Sequence, residues 1–220
     1  MSTLVLVRHG QAAASGVLTP LGEQQARRLL EYWQRNSHTF DCAYTGTLER
    51  QRQTAAIAGY PGAEVLPELN EYDASGFVGK LATRLAAESA EFAGLVQAWE
   101  LERSNRNFQR VFEVVVRGWV EGSLADPNVE PWAAFYDRVN RALRRLTQEG
   151  PSRQVAVFTS GGVIGVMVQA VLGAPQTTAI ELNWRVRNGS LTGFLFSQGR
   201  VSLDYFNATP HLEETEISYR

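Results

Sequence analysis

The chain has 220 residues, 44% of them apolar and 20% charged, with a net charge of -2. That length supports one sizeable core, so a single domain over 1–220 is expected. The charge balance excludes a global basic field for nucleic acid or a membrane surface, so any anion site must be a local cluster of arginines. The single cysteine, Cys42, excludes an intrachain disulfide. The apolar start Leu4–Val7 is too short for a secretory signal and no run reaches membrane-spanning length, so a cytoplasmic protein is expected.

In chain order, Thr3–Val7 reads as a buried strand that ends abruptly in Arg8-His9-Gly10. A small-residue loop, Gln11–Val17, leads to a helix start with Thr19 as N-cap and Pro20 at the first helical position. Leu29, Leu30 and Trp33 give that helix an apolar face as far as Arg35. Phe40–Tyr44 reads as a second strand, Thr47–Ala58 as a second helix, and Val65-Leu66 with Leu69 as a short extended piece. This alternation predicts a mainly parallel sheet with helices on both faces. From about 80 to 148 the pattern is almost wholly helical, interrupted at Asp126-Pro127-Asn128, and is expected to be a helical insertion over one end of the sheet. Its aromatics read as core packing, with a substrate lid or a homodimer face as the alternative. Gln154–Thr159 is a strong buried strand and Gly161-Gly162 opens an apolar helix through Leu172. Leu191–Phe196 and Val201–Phe206 alternate about Gln198-Gly199 as a hairpin. The acidic tail from Leu212 to Arg220 is expected to be partly mobile.

Four places carry chemistry. Arg8 and His9 stand at a strand end, where open α/β sheets gather ligands; alone, they read equally well as a surface arginine and a structural histidine. Arg50 lies in the first turn of a helix whose N-terminus favours anions, whereas Arg52, two residues on, faces elsewhere. Glu71, in Leu69-Asn70-Glu71-Tyr72-Asp73-Ala74-Ser75, is a carboxyl that could serve as general acid beside a phosphate site; in isolation it reads as a loop carboxylate. Ser160 is placed to N-cap the helix after Thr159, with Gly161-Gly162 as an anion nest; the plainer reading is simple capping.

Taken in order, Arg8-His9-Gly10, Leu18-Thr19-Pro20-Leu21-Gly22 with Gln25-Ala26, Arg50 with Gln53-Thr54-Ala55, Leu69-Asn70-Glu71, the Thr159–Val163 turn and Asn207-Ala208-Thr209-Pro210-His211-Leu212 resemble the histidine phosphatase superfamily, the phosphoglycerate mutase-like proteins. The resemblance spans nearly the whole chain. It implies a three-layer α/β/α sandwich with a mainly parallel central sheet and a helical insertion over the site. It also implies roles: His9 as the nucleophile that becomes phosphohistidine, Arg8 and Arg50 as holders of the phosphoryl oxygens, and Glu71 as proton donor to the leaving alkoxide. Gln11 would line the phosphate site with Ser15, Ser160 and Gly161. No metal and no cofactor is implied.

The chain departs from the resemblance at Ser160, where the family usually carries a second histidine. His38 and His211 do not replace it by position. By analogy with a lost oxyanion donor, the change could remove roughly 2–4 kcal/mol of transition-state stabilisation. Ser15 stands where many members place an asparagine. The leading expectation is a phosphatase acting on a small phosphomonoester; if Ser160 marks the loss of one catalytic part only, Ser160→His should raise activity. The alternative is a weakened or inactive protein that binds a phosphorylated ligand or inorganic phosphate. A serine hydrolase using Ser160 is disfavoured because Phe158 stands where a nucleophile elbow needs glycine. A mutase is disfavoured by the lost cation and by the residues after Glu71.

Overall fold

In the computed structural model, which describes residues 1–73, 77–148, 152–197 and 199–219, the first apolar run forms β1 (Ser2–Arg8) in the middle of a six-stranded sheet. Ala74, Ser75 and Gln198, used in the sequence reading, lie outside the described residues. The other elements of the sheet unit are α1 (Pro20–Arg35), β2 (Cys42–Thr45), α2 (Glu49–Ile57), β3 (Glu64–Val65) and a 3₁₀ turn at Pro67–Leu69. The second unit holds α3 (Ala82–Glu88), α4 (Ala90–Leu101), α5 (Asn105–Val120) and the start of α6 (Trp132–Thr147). The chain then returns to β4 (Gln154–Thr159), α7 (Gly161–Leu172), α8 (Thr177–Asn183), β5 (Leu191–Ser197) and β6 (Arg200–Ala208).

The strand order is β3-β2-β4-β1-β5-β6. The first four strands run parallel, and β5 and β6 add an antiparallel edge. Parallel strands are covered on both faces, which is why β1 and β4 read as unbroken apolar runs. Val5 and Val7 pack with Leu29 and Trp33 of α1, Ala55 of α2, and Phe158 of β4. Leu4 and Leu6 point to the opposite face and are fully buried. Beyond β4, the first nine residues of α7 are all buried, which explains its nearly uniform apolar sequence. α1 begins as its sequence dictates: Thr19 Oγ1 accepts from the Gly22 amide at 3.1 Å and Pro20 occupies the first turn.

Residues 72–137 form a compact unit of their own. Its aromatics are core: Phe112, Trp119, Trp132 and Phe135 are buried, Trp119 meets Trp132 edge-on at 5.0 Å, and its indole N–H donates to the Glu130 carbonyl at 2.8 Å. The hydroxyls of Ser89 and Ser104 cap α4 and α5. α6 continues past this unit, and Val139, Leu143 and Leu146 are buried.

Two features differ from the sequence reading. α8 lies between Pro175 and β5, a stretch for which no element is predicted above. The described part of the acidic tail, 212–219, is anchored through Glu216, which is 5% exposed and meets Arg28 at 3.0 Å, and whose carbonyl accepts from Gln25 Nε2 at 2.7 Å.

Candidate active site

β1, β4 and β2 end on one rim, because Arg8 pairs with Thr159 and Phe158 with Thr45. His9 follows β1 directly, and its amide donates to the Thr159 carbonyl at 2.9 Å. The loop between α8 and β5 fastens the same dipeptide from the other side. The Gly189 amide donates to the carbonyls of Arg8 and His9 at 3.1 and 3.2 Å, and the Arg8 amide donates to Ser190 at 3.0 Å. Gly189 has φ of +71°, a conformation glycine adopts without penalty. Arg8 is 6% exposed and its guanidinium donates to the Val186 carbonyl.

The His9 ring is oriented at both nitrogens. Nδ1 lies 2.7 Å from the Gly10 carbonyl oxygen. A carbonyl only accepts, so Nδ1 carries the proton and Nε2 carries the lone pair. Arg50, at the second position of α2, donates from Nε to His9 Nε2 at 3.1 Å. The helix turn anticipated for Arg50 therefore does bring it to His9, and Arg52 is exposed. Gly10 sets the ring's base. Its amide donates to Thr54 Oγ1 at 3.1 Å, and a Cβ on Gly10 would come within 2.4 Å of the Gly22 carbonyl oxygen.

Glu71 is placed by the N-terminus of α7. Its Oε2 accepts from the Gly162 amide at 3.0 Å, one of the free N–H groups at the start of the helix. This corrects the expectation that the Ser160 hydroxyl caps this helix. Ser160 occupies the N-cap position but makes no side-chain cap bond. It is fully buried, and its Oγ accepts from Gln51 Nε2 at 2.9 Å. The expected hydroxyl donor is thus turned into the rim's support. Gly161 is also buried, with Asn183 Oδ1 only 2.2 Å from where its Cβ would stand. Gln11 is half-buried and its Oε1 accepts from Thr19 Oγ1 at 2.8 Å, while its backbone N–H donates to Gln25 Oε1 at 2.8 Å. Ser15 is exposed in the Ala13–Val17 turn and is not tied into these bonds.

The profile of the histidine phosphatase superfamily (branch 1) matches residues 4–209. The chain belongs to the histidine phosphatase superfamily. No curated protein matches it in sequence. Among solved structures, YhfR of Bacillus stearothermophilus is similar with a TM-score of 0.70 and 18% identity, covering 97% of this chain and 100% of that one. A phosphoserine phosphatase mutant from Entamoeba histolytica in complex with phosphoserine has a TM-score of 0.65 and 19% identity, covering 97% and 100%. The α-ribazole phosphatase of Shigella flexneri has a TM-score of 0.64 and 22% identity, covering 94% and 96%. At these identities the likeness is one of fold.

In this superfamily member several residues have supporting roles that the sequence motifs do not assign. Gln25 is fully buried and joins the Gln11 amide to Glu216 and Ser218 of the tail. Arg138 donates to the carbonyls of Glu68 and Asn70 at 2.9 and 2.7 Å, bracing the approach to Glu71. Asn188, 2% exposed, lies behind His9 and accepts from Ser218 Oγ at 3.1 Å. Each acts through partners distant in sequence, which no local pattern marks. His38 is exposed; His211 is 9% exposed, and burial pushes its pKa down to about 4. A separate cavity of about 350 Å³ is lined by Tyr32, Trp33, Phe40 and Tyr205 and by none of the candidate site residues. Among the described residues no three His, Cys, Asp or Glu side chains are grouped to hold a metal ion, and no helix is long and apolar enough to cross a membrane.

Proposed function

We propose that the protein hydrolyses small phosphomonoesters through a phosphohistidine at His9. The observation that carries this is the His9 ring: its Nδ1 proton is held by the Gly10 carbonyl and its Nε2 lone pair faces the Arg50 guanidinium. An incoming phosphoryl oxygen draws the Arg50 N–H away from Nε2. The lone pair then attacks phosphorus, and the bond from phosphorus to the ester oxygen breaks. Arg50, with Arg8 on the same strand end, offsets the charge on the transferring group. Glu71 as carboxylic acid gives its proton to the leaving alkoxide. As carboxylate it then takes a proton from water, whose oxygen attacks the phosphoenzyme and releases inorganic phosphate and neutral His9. The two arginines supply the positive charge in this scheme, and the substrate is a small phosphorylated compound. Phosphatases among the structural relatives support the reaction class.

The second reading, a phosphate-binding protein without turnover, draws on Ser160, which is buried and offers no cation to the rim. One comparison separates them: wild type and His9→Ala on p-nitrophenyl phosphate and a panel of alkyl phosphomonoesters. Turnover by wild type that is lost in His9→Ala supports the phosphatase. Phosphate binding without turnover across the panel supports the binding protein.

A further inference from the structure

Gln51 is the polar side chain on which three segments of the rim converge. It is fully buried in the first turn of α2. Its Nε2 donates both to the Leu69 carbonyl at 3.0 Å and to Ser160 Oγ at 2.9 Å. Its Oε1 accepts from the Leu48 amide at 3.3 Å. Gly46 leaves it room, since a Cβ there would stand 2.0 Å from Oε1. A second buried donor, Thr159 Oγ1, reaches the same Leu69 carbonyl at 2.8 Å. Leu69 lies two residues before Glu71, and Ser160 two residues before the Gly162 amide that holds the Glu71 carboxylate. One amide therefore fixes both ends of the attachment of Glu71, and an uncharged pair, Gln51 and Ser160, stands where a histidine at 160 would have to fit.

We infer that Gln51 is a positioning residue for proton delivery by Glu71, an inference that rests on the phosphatase reading above. It acts through the Leu69 carbonyl and the Ser160 turn and touches neither His9 nor the phosphoryl group. Its effect should therefore appear where the leaving oxygen needs a proton. An alkoxide needs one; p-nitrophenolate is a stable anion and departs without it.

The test measures kcat and KM for Gln51→Leu on both an alkyl phosphomonoester and p-nitrophenyl phosphate, across pH. A misplaced general acid costs about 10–100-fold in kcat/KM on the alkyl ester, with a loss under about threefold in kcat/KM on p-nitrophenyl phosphate; this ratio ends at phosphoryl transfer and so excludes the water step that Glu71 serves for both substrates. The pH dependence that Glu71→Gln removes from the alkyl reaction should be weakened in Gln51→Leu as well. Thr159→Val approaches the same carbonyl from β4 and should reproduce the selectivity at smaller amplitude, so a Gln51→Leu that fails to fold leaves the inference testable. Equal losses of kcat/KM on both substrates in Gln51→Leu, or in Thr159→Val if only that variant folds, would overturn it, as would an unchanged kcat/KM on the alkyl ester. Failure of the phosphatase reading is distinguishable, because wild type would then show no turnover or His9→Ala would retain it.

Discussion

Ser160→His is the substitution that the family resemblance recommends and that the structure argues against. Ser160 and Gln51 are both fully buried and meet at 2.9 Å. An imidazole at 160 must displace the Gln51 amide, and overpacking of this kind costs about 1–3 kcal/mol. The displaced Nε2 also loses its bond to the hydroxyl, worth about 1 kcal/mol. The sum, about 2–4 kcal/mol, corresponds to a fall in melting temperature of roughly 4–16 °C for a chain of this size. Activity on alkyl phosphomonoesters should fall rather than rise, because the Leu69 and Glu71 segment shifts with Gln51. Vacating the space should reverse part of this: Gln51→Ala with Ser160→His is expected to be more stable than Ser160→His alone, a non-additive coupling of at least about 1 kcal/mol. The assay is a denaturant and thermal melt of wild type, both single variants and the double variant, alongside kcat. A Ser160→His protein as stable as wild type and more active would refute the reasoning, since it would show that the imidazole and Gln51 do not compete for space.

Three further outcomes follow from the geometry. His211 is buried with its pKa pushed down to about 4, against about 6.5 in the unfolded chain. The unfolded chain thus binds the extra proton first. The contribution of this group is complete above pH 6.5 and falls by about 3 kcal/mol as pH drops to 4; denaturant midpoints across that window should show a shallower slope in His211→Phe than in wild type, and identical slopes would contradict the assignment. A Cβ on Gly22 would stand 2.0 Å from the Gln11 carbonyl oxygen. Gly22→Ala should therefore destabilise by at least about 2 kcal/mol and lower kcat through the Gly10–Gln11 segment. Gly62→Ala, where the added atom meets nothing within 4 Å, should stay within about 0.5 kcal/mol of wild type.

Much of the fold was legible because its signals are local. Leu4–Val7 and Val155–Phe158 read as buried strands, and burial on both faces of a parallel sheet confirms why they lack alternation. Thr19-Pro20 announced α1, and the position of Arg50 in the first turn of its helix sufficed to bring it to the His9 end of the sheet. What stayed hidden depends on partners far away in sequence. Ser160 looks like an N-cap until Gln51, more than a hundred residues earlier, claims its hydroxyl and Glu71 takes the Gly162 amide. The tail reads as mobile because charge is a poor guide when a buried carboxylate, Glu216, pairs with the half-exposed Arg28 and Gln25 holds its backbone. α8 is a seven-residue helix, too short for a period to declare itself.

The central claim is that the lone pair of His9 Nε2 attacks phosphorus. Rapid quench of wild type with a phosphomonoester, followed by mass analysis of the peptide carrying His9, tests it directly. The account predicts a transient, acid-labile phosphoryl group on His9 that forms at least as fast as turnover and is missing in His9→Ala. Steady turnover in wild type with no phosphoryl group on His9 at any time, or turnover that survives His9→Ala, would contradict it.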